Sequence, residues 1–278
     1  MKIIRADVLG MCFGVRDALQ ALTEIETPVE VTIHGELVHN EIVLEQLQLR
    51  GFHSTAETAR QALPATPAVL ITAHGVSHAE RQRLAEAGKQ LLDTTCPLVT
   101  RAHDAAQALQ RDGRHVLVIG RRSHVEVEGI VGDLSSYDVV GGAAEVRTYD
   151  SRRLGVMCQT TTPSRQVQAV RAAIAEKNPD ADIRFIDTVC LPTKERQLAL
   201  DRLIEQVEAV VVVGGSQSNN TRALAACCEE RGRPAFHVQT AADLRGDWFA
   251  GFSTIGLTAG TSSLDATIAE VHAALAAM

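Results

Sequence analysis

The sequence has few aromatic residues and no long hydrophobic run. Phe, Trp and Tyr together make up 3% of its 278 residues, and there is a single Trp. This scarcity argues against the aromatic platforms on which sugars or bases stack. The Val-rich run at residues 209–213 is short, and no apolar run exceeds six residues, far short of the roughly 20 residues that a membrane span needs. Because Lys2, Arg5 and Asp7 interrupt the start of the chain, there is no signal-peptide core, and we expect a cytoplasmic protein.

An excess of positive charge is also absent. The chain has 27 Lys and Arg residues against 34 Asp and Glu residues, a net charge of −7. Because nucleic-acid binding requires a basic surface, this balance argues against a nucleic-acid partner. Apolar residues account for 45% of the chain and charged residues for 22%, which is typical of an ordered globular protein.

Short runs of Val, Ile and Leu recur along the chain. Each is followed by a loop of small polar residues and then by a segment with helical periodicity. This alternation predicts a parallel α/β protein. In such proteins the loops that follow the strands lie at the edge of the sheet where ligands bind.

Three of the six cysteines stand between a predicted strand and a predicted helix. These are Cys12, Cys96 and Cys190, which are separated by 84 and 94 residues. A spacing near 90 residues indicates an internal repeat. It predicts three pseudo-equivalent α/β lobes over residues 1–95, 96–189 and 190–278, with one of the three cysteines in each. A pseudo-threefold axis would bring the three thiols to one centre.

The chemistry of these cysteines is open at this point. In a reducing compartment they are core thiols, nucleophiles or metal ligands rather than disulfides. A position at a helix N-terminus favours the thiolate, and three thiolates could bind zinc or an iron–sulfur cluster, because no C-x-x-C spacing decides between them. Cys158, in a predicted strand, and the adjacent Cys227 and Cys228, in a predicted helix, are expected to be structural.

Several polar loops could together bind an anion. His39, His74 and His124 each follow a predicted strand, and Ser218, Asn220 and Ser262 do the same later in the chain. With the N–H groups of helix N-termini they would suit a diphosphate without the lysine of a P-loop, which this chain lacks. The alternative is that the last three only cap helices. Glu126, beside His124, is a candidate proton donor, or else an exposed acid at a helix start.

The sequence resembles the 4-hydroxy-3-methylbut-2-enyl diphosphate reductase family, which serves the methylerythritol phosphate route to isoprenoids. The resemblance covers nearly the whole chain, and its motifs come in the order of the family. The segments that carry it are Gly10-Met11-Cys12-Phe13-Gly14-Val15, Val38-His39-Asn40, Ala73-His74-Gly75-Val76-Ser77, Asp93-Thr94-Thr95-Cys96-Pro97-Leu98-Val99, His124-Val125-Glu126-Val127-Glu128-Gly129, Gln159-Thr160-Thr161 and Thr258-Ala259-Gly260-Thr261-Ser262.

The resemblance implies a cloverleaf of three α/β lobes around a central 4Fe-4S cluster. The cluster would have three cysteine ligands: Cys12, Cys96 and Cys190. Glu126 would relay protons, and Thr160 would help to position the substrate hydroxyl. The residues implied to bind the substrate, mostly through its diphosphate, are His39, His74, His124, Thr160, Ser218, Asn219, Asn220 and Ser262.

The resemblance also implies the reaction and the electron donor. The reaction is a reductive dehydroxylation of the allylic diphosphate to isopentenyl and dimethylallyl diphosphate. A ferredoxin or flavodoxin would supply two electrons one at a time. Because those carriers are acidic, we expect a basic docking patch, for which the densest candidates are Arg111, Arg114, Arg121 and Arg122. The alternative is that these arginines only form a solvated face.

Three positions depart from the pattern of the family. Met11 stands where Phe is usual, Phe13 where a small residue is common, and Leu264 where Pro is usual. They leave open a paralogue that acts on a related allylic diphosphate. A zinc hydrolase with Glu126 as general base and a non-catalytic phosphate-binding module are the further alternatives.

Overall fold

The computed structural model describes all residues from 1 to 278. Strands and helices alternate along the chain, as the sequence predicts. The strands are β1 (Lys2–Arg5), β2 (Val31–His34), β3 (His53–Ser54), β4 (Ala68–Ile71), β5 (Gln90–Asp93), β6 (His115–Ile119), β7 (Tyr137–Val140), β8 (Arg153–Cys158), β9 (Asp182–Phe185), β10 (Ala209–Val213), β11 (Ala235–Val238) and β12 (Thr254–Ala259). The α-helices are α1 (Phe13–Thr23), α2 (Glu41–Leu49), α3 (His78–Glu86), α4 (Pro97–Arg111), α5 (Val125–Val131), α6 (Ser164–Lys177), α7 (Leu191–Ile204), α8 (Asn219–Glu230) and α9 (Asp265–Ala276).

The strands form three parallel sheets of four strands each. Their orders are β3-β2-β4-β5, β7-β6-β8-β9 and β11-β10-β12-β1. In every sheet the two central strands are joined by a connection that contains one edge strand. The other edge strand is the last of the set in the first two sheets and the N-terminal strand β1 in the third. The prediction of three pseudo-equivalent α/β lobes is therefore confirmed.

The third sheet is completed by the N-terminal strand, which corrects one part of the predicted division. The sequence places β1 and Cys12 in a lobe of residues 1–95. In the structure β1 pairs in parallel with β12, from Lys2 beside Thr254 to Arg5 beside Leu257. The repeat is thus circularly permuted, and each of the three predicted ligand cysteines follows the last edge strand of its sheet, after β1, β5 or β9. The cysteine spacing gives the period of the repeat, but a cysteine ends each repeat rather than opening it.

The chain divides into two compact units. One comprises Met1–Arg16, Val38–Val43 and Leu191–Met278, and it holds the sheet of β1, β10, β11 and β12. The other comprises Asp17–Leu37 and Leu44–Cys190, and it holds the other two sheets. We refer to them as unit 1 and unit 2.

The core lies on both faces of the sheets. Every residue of β10 is fully buried, because α9 covers one face of the sheet in unit 1 and α7 covers the other. A central parallel strand that is covered on both faces has a continuous apolar sequence, as in Ala209–Val213. No helix is both long enough and apolar enough to cross a membrane.

Local signals in the sequence mark the helix ends. Pro97 is the first residue of α4, as predicted, and proline suits that position because no N–H is needed there. Gly51 follows α2 with φ +95°, a conformation that favours glycine. Helices α5 and α8 begin directly after His124 and Ser218, so the polar loops that carry these residues each link the end of a strand to the start of a helix.

Candidate active site

The three predicted ligand cysteines occupy equivalent turns. Each lies directly before a helix, and none forms a disulfide. Each backbone N–H donates to the carbonyl of the second residue after the third strand of the same sheet. The N···O distances are 3.0 Å from Cys12 to Thr261, 3.1 Å from Cys96 to Ala73 and 2.9 Å from Cys190 to Thr160. The internal repeat that the cysteine spacing indicates is therefore a repeated hydrogen-bonded turn.

These turns suit a metal-binding thiolate. Cys12, Cys96 and Cys190 are all partly exposed, and the N-terminus of the helix that follows each stabilises a negative sulfur. Cys158 and Cys228 differ, because both are fully buried. Burial raises the pKa of the Cys228 thiol to about 12, so this side chain is a core thiol, as the sequence predicts.

Two of the three turns also share an aspartate three residues before the cysteine. Asp93 accepts from the N–H of Thr95 at 2.9 Å, and Asp187 accepts from the N–H of Val189 at 3.1 Å. Partial burial alone would raise the pKa of Asp93, but hydrogen bonds from Thr95 and the Arg81 guanidinium outweigh it and lower this pKa. A charged aspartate thus fixes the turn that leads to the thiol.

Glu126 in unit 2 is buried, and both of its carboxylate oxygens have partners on one residue. It is 1% exposed. Its Oε1 accepts from the N–H of Thr160 at 2.6 Å, and its Oε2 accepts from the Thr160 hydroxyl at 2.8 Å. The alternative of an exposed acid at a helix start is wrong for Glu126 and correct for its neighbour Glu128. The carboxylate, the threonine and the turn of Cys190 form one connected group.

His124 and His74 lie together in unit 2. His124 caps α5, because its Nδ1 accepts from the N–H of Glu126 at 3.1 Å. That bond assigns the proton of a neutral His124 ring to Nε2. The rings of His74 and His124 meet edge to face with centroids 5.6 Å apart. The two loops that carry these histidines follow β4 and β6, so one histidine comes from each of the two sheets of unit 2.

Unit 1 brings three other predicted residues together: His39, Asn220 and Ser262. The Ser262 hydroxyl donates to the His39 carbonyl at 3.2 Å, and Asn40 Nδ2 donates to the Ser262 carbonyl at 2.7 Å. Asn220 Oδ1 accepts from the N–H of Thr261 at 3.1 Å. The short segment around His39 is thereby fixed to the loop after β12.

The loop after β10 completes this group. The Ser218 hydroxyl accepts from the N–H of Thr221 at 3.2 Å and caps α8. Asn219 is the first residue of that helix. The Glu41 carboxylate accepts from both the N–H and the hydroxyl of Ser216, at 3.0 and 2.6 Å. The capping alternative is thus correct for Ser218, and a cap whose helix N-terminus is open to a ligand can also contact an anion.

Sequence reasoning missed three buried polar residues near these turns: Asn40, His103 and Arg196. His103 in α4 is 7% exposed, and a Cβ on Gly75 would lie 3.6 Å from its Nε2. Burial lowers the pKa of His103 to about 4. The residue falls on the face of the helix that carries Val99 and Ala106, so helical periodicity could have found it.

The four arginines named as candidates do not form one exposed basic patch. Arg111 and Arg114 precede β6, whereas Arg121 and Arg122 follow it, so a whole strand separates the two pairs. Arg114 is only 8% exposed, and its guanidinium contacts the carboxylates of Asp112 and Asp182 at 2.7 and 2.8 Å. Closeness in the sequence misled here because the strand between the pairs is extended.

Comparison with known proteins decides the family. A model of the LytB protein family matches residues 3–276. This chain belongs to the LytB family. The chain is 34% identical to the 4-hydroxy-3-methylbut-2-enyl diphosphate reductase of Methylibium petroleiphilum, over 99% of this chain and 85% of that protein. It is 33% identical to the reductase of the same name from Neisseria meningitidis, over 98% of this chain and 86% of that protein.

Solved structures agree with the LytB assignment. The E-1-hydroxy-2-methyl-but-2-enyl-4-diphosphate reductase of Plasmodium falciparum has the same fold, with a TM-score of 0.89 and 24% identity over 98% of this chain and 87% of that chain. A structure of (E)-4-hydroxy-3-methyl-but-2-enyl diphosphate reductase matches with a TM-score of 0.67 and 28% identity, over 100% of this chain and 99% of that chain. Membership of the LytB family implies an iron–sulfur cofactor.

Proposed function

We propose that this chain reduces 4-hydroxy-3-methylbut-2-enyl diphosphate to isopentenyl and dimethylallyl diphosphate. The observation that carries the proposal is that the cysteine turn occurs three times. In one of these turns the N–H of Cys190 donates to Thr160, which in turn donates to Glu126. LytB relatives that are reductases of this substrate support it over nearly the whole chain. The chain is then an oxidoreductase of isoprenoid synthesis.

The cofactor of the proposal is one 4Fe-4S cluster, and its ligands are Cys12, Cys96 and Cys190. Sulfur donors of this kind suit iron–sulfur clusters. All three thiols are partly exposed and directly precede a helix, whereas the partly exposed Cys227 lies inside helix α8. When bound, the cluster would supply electrons singly and, with three protein ligands for four irons, an iron open to a substrate oxygen.

Glu126 delivers the proton that turns the substrate hydroxyl into water. Hydroxide is a poor leaving group, so a proton donor lowers the barrier. Thr160 orients the carboxyl group, because its N–H and O–H groups donate to different carboxylate oxygens. For proton delivery the hydroxyl bond must be reversed: a protonated Glu126 donates to the Thr160 oxygen, and the Thr160 O–H donates to the substrate oxygen. A threonine in this place can therefore link the substrate hydroxyl to Glu126.

The diphosphate is bound by polar side chains and by helix N-termini. The residues proposed for this task are His39, His74, His124, Ser218, Asn219, Asn220 and Ser262. In unit 1 Ser262 is bonded to the His39 carbonyl and Asn220 to the N–H of Thr261, and in unit 2 the rings of His74 and His124 are in contact. Fixed donors lose little entropy when an anion binds, so the diphosphate can anchor the reacting end.

The electrons of the proposal come from an external carrier. A ferredoxin or flavodoxin supplies them one at a time, and the cytoplasm is the expected compartment for such a pair. Nucleic acid is not a partner in this proposal, since the net charge is −7.

The experiment is an anaerobic assay of reconstituted protein with dithionite, methyl viologen and the hydroxylated diphosphate. The protein should bind iron and sulfide and form both products. Cys96→Ser should lose the cluster and lower turnover about a thousandfold, as expected when an essential group is removed. Cys227→Ser, in helix α8, is the matched control and should behave as the unchanged protein.

Three results would contradict the proposal. A colourless protein with stoichiometric zinc would indicate the hydrolase instead. A cluster-loaded protein that leaves this diphosphate unchanged would indicate a paralogue with another allylic substrate. Unchanged ligand binding and unchanged metal content in Cys96→Ser would indicate a phosphate-binding module.

A further inference from the structure

A buried arginine contacts the turn of Cys12. Arg196 lies in α7 and is 4% exposed. Its Nε donates to the Gly10 carbonyl at 2.9 Å, its Nη2 donates to the same oxygen, and its Nη1 donates to the Pro192 carbonyl at 2.9 Å. A guanidinium withdrawn from water is costly unless its N–H groups find such acceptors. Arg196 is therefore built into this site rather than left at a surface.

The position of Gly10 explains why this contact matters. Gly10 is two residues before Cys12, and its own N–H donates to the Ala259 carbonyl at 3.3 Å. Its φ is +78°, and a Cβ there would lie 2.7 Å from Ile268 Cδ1. The N–H groups of Gly10 and Cys12 thus fix the turn to the strand and loop of β12, and the Gly10 carbonyl is left for Arg196.

The other end of the contact lies near a second predicted ligand. Helix α7 begins at Leu191, directly after Cys190. The Nη1 bond to Pro192 fixes the guanidinium to the first turn of this helix. One side chain therefore joins the turn of Cys12 to the helix start that follows Cys190.

We propose that Arg196 is a positioning residue for the iron–sulfur cluster, which it serves by fixing the turn of Cys12 against the helix that begins after Cys190. The inference rests on the proposed function. Outer contacts of this kind orient metal ligands, and their loss commonly weakens metal binding by 10- to 100-fold. The buried positive charge also favours the reduced, more negative state of a nearby cluster.

Arginine suits this role better than lysine. Its planar fork places two N–H donors on the Gly10 oxygen and a third on Pro192 at once, whereas a lysine ammonium is a point charge on a flexible stem. Arg196→Lys should keep the charge and lose part of the geometry. Arg196→Met should lose both.

The test compares three variants of reconstituted protein: Arg196→Met, Arg196→Lys and the control Arg202→Met. Arg202 lies in the same helix, and its Nε contacts Asp7 at 2.9 Å from an exposed position. The measurements are iron release to a chelator, the midpoint potential by redox titration with electron paramagnetic resonance, and the thermal unfolding of the protein without cluster.

Arg196→Met should release iron about tenfold faster than the unchanged protein and should have a more negative midpoint potential. Arg196→Lys should release iron at an intermediate rate with a potential near that of the unchanged protein, because the charge remains. Arg202→Met should match the unchanged protein in both. A loss of packing alone would lower the unfolding temperature without this separation of rate and potential.

Equal iron release in Arg196→Met and Arg202→Met would overturn the inference. If Arg196→Met does not fold, Arg196→Lys decides, since faster iron release supports the role and an unchanged rate contradicts it. Failure of the unchanged protein to bind iron would instead contradict the proposed function, so the two failures are distinguishable.

Discussion

Two of the three repeats have a polar side chain at the second position after a helix cap. It is a carboxylate in one repeat and an amide in the other. In the repeat of β6 to β9, Glu126 is the second residue after the cap His124, and it accepts from the N–H of Thr160. In the repeat of β10 to β12 and β1, Asn220 is the second residue after the cap Ser218, and it accepts from the N–H of Thr261. Thr160 and Thr261 are both the second residue after the third strand.

Glu126 and Asn220 make equivalent hydrogen bonds but can do different chemistry. A carboxylate can accept and release a proton, whereas an amide can only hold its partners. The remaining repeat has Ile42 at the position that corresponds to Glu126 and Asn220, two residues after Asn40, and therefore no polar group. We conclude that the repeats share a scaffold for helix starts and cysteine turns, and that the carboxylate proposed as proton donor occurs in only one of them.

The largest expected effect comes from making the two repeats alike. Glu126→Gln keeps an acceptor for the Thr160 N–H but removes the proton, so turnover should fall about a thousandfold, within the range for loss of a general acid. Iron content and substrate affinity should stay unchanged. Glu128→Gln, two residues away and exposed, is the control. More than a tenth of normal turnover in Glu126→Gln would remove Glu126 from the proton path.

A second difference between repeats predicts a pH dependence of stability. His103 is the seventh residue after Cys96, and the corresponding residue after Cys190 is Gln197, which does not titrate. The pKa of His103 is about 4 in the folded protein because of burial, against 6.5 ordinarily. Between these pH values the unfolded chain binds more protons, so stability falls as the pH decreases from 6.5 to 4. The expected loss is about 3 kcal/mol.

Urea unfolding of the protein without cluster at several pH values measures this loss. His103→Leu should lower the slope between pH 6.5 and 4, and His34, whose pKa is also lowered by burial, should contribute to the slope that remains. His53→Asn, a change at an exposed histidine, should leave the slope intact. An unchanged slope in His103→Leu would show that another group is responsible.

A smaller effect is expected from the two equivalent threonines. Thr160→Val loses the O–H bond to Glu126 Oε2 but keeps the backbone bond to Oε1, so kcat should fall about tenfold, as for one lost hydrogen bond to a charged group. Thr261→Val keeps the backbone bond to Asn220 and should stay within about twofold. Equal effects in both would mean that the hydroxyl of Thr160 has no special role.

The smallest effect concerns the caps. Ser218→Ala and Ser77→Ala each remove a side chain that accepts from a backbone N–H at the start of a helix, α8 and α3 respectively. Each should cost about 1 kcal/mol of unfolding free energy. Only Ser218→Ala should also raise KM for the diphosphate, and an equal KM in both variants would reduce Ser218 to a cap.

The sequence was sufficient for the features that depend on local signals. The predictions of buried strands such as Ala209–Val213, of the start of α4 at Pro97 and of the repeated cysteine turns were all correct. The second strand of each repeat was missed, because β3, β7 and β11 are short edge strands in which only Val139, Val140 and Val238 are buried. Such strands carry little hydrophobic pattern.

Other features depend on contacts between distant segments. The pairing of β1 with β12 joins residues about 250 apart in the chain, and nothing local in Lys2–Arg5 indicates its partner. The bond from Arg196 to Gly10 spans 186 residues. The charge of Arg114 is balanced by Asp182, which the local cluster of arginines does not reveal.

In the proposed function the three equivalent turns bind one cluster with an open iron. Mössbauer spectroscopy of protein reconstituted with ⁵⁷Fe tests it most directly. The account predicts four irons per chain, with the signal of one of them distinct from the other three and altered when the hydroxylated diphosphate is added. Two irons per chain, or four equivalent irons that ignore the substrate, would contradict it.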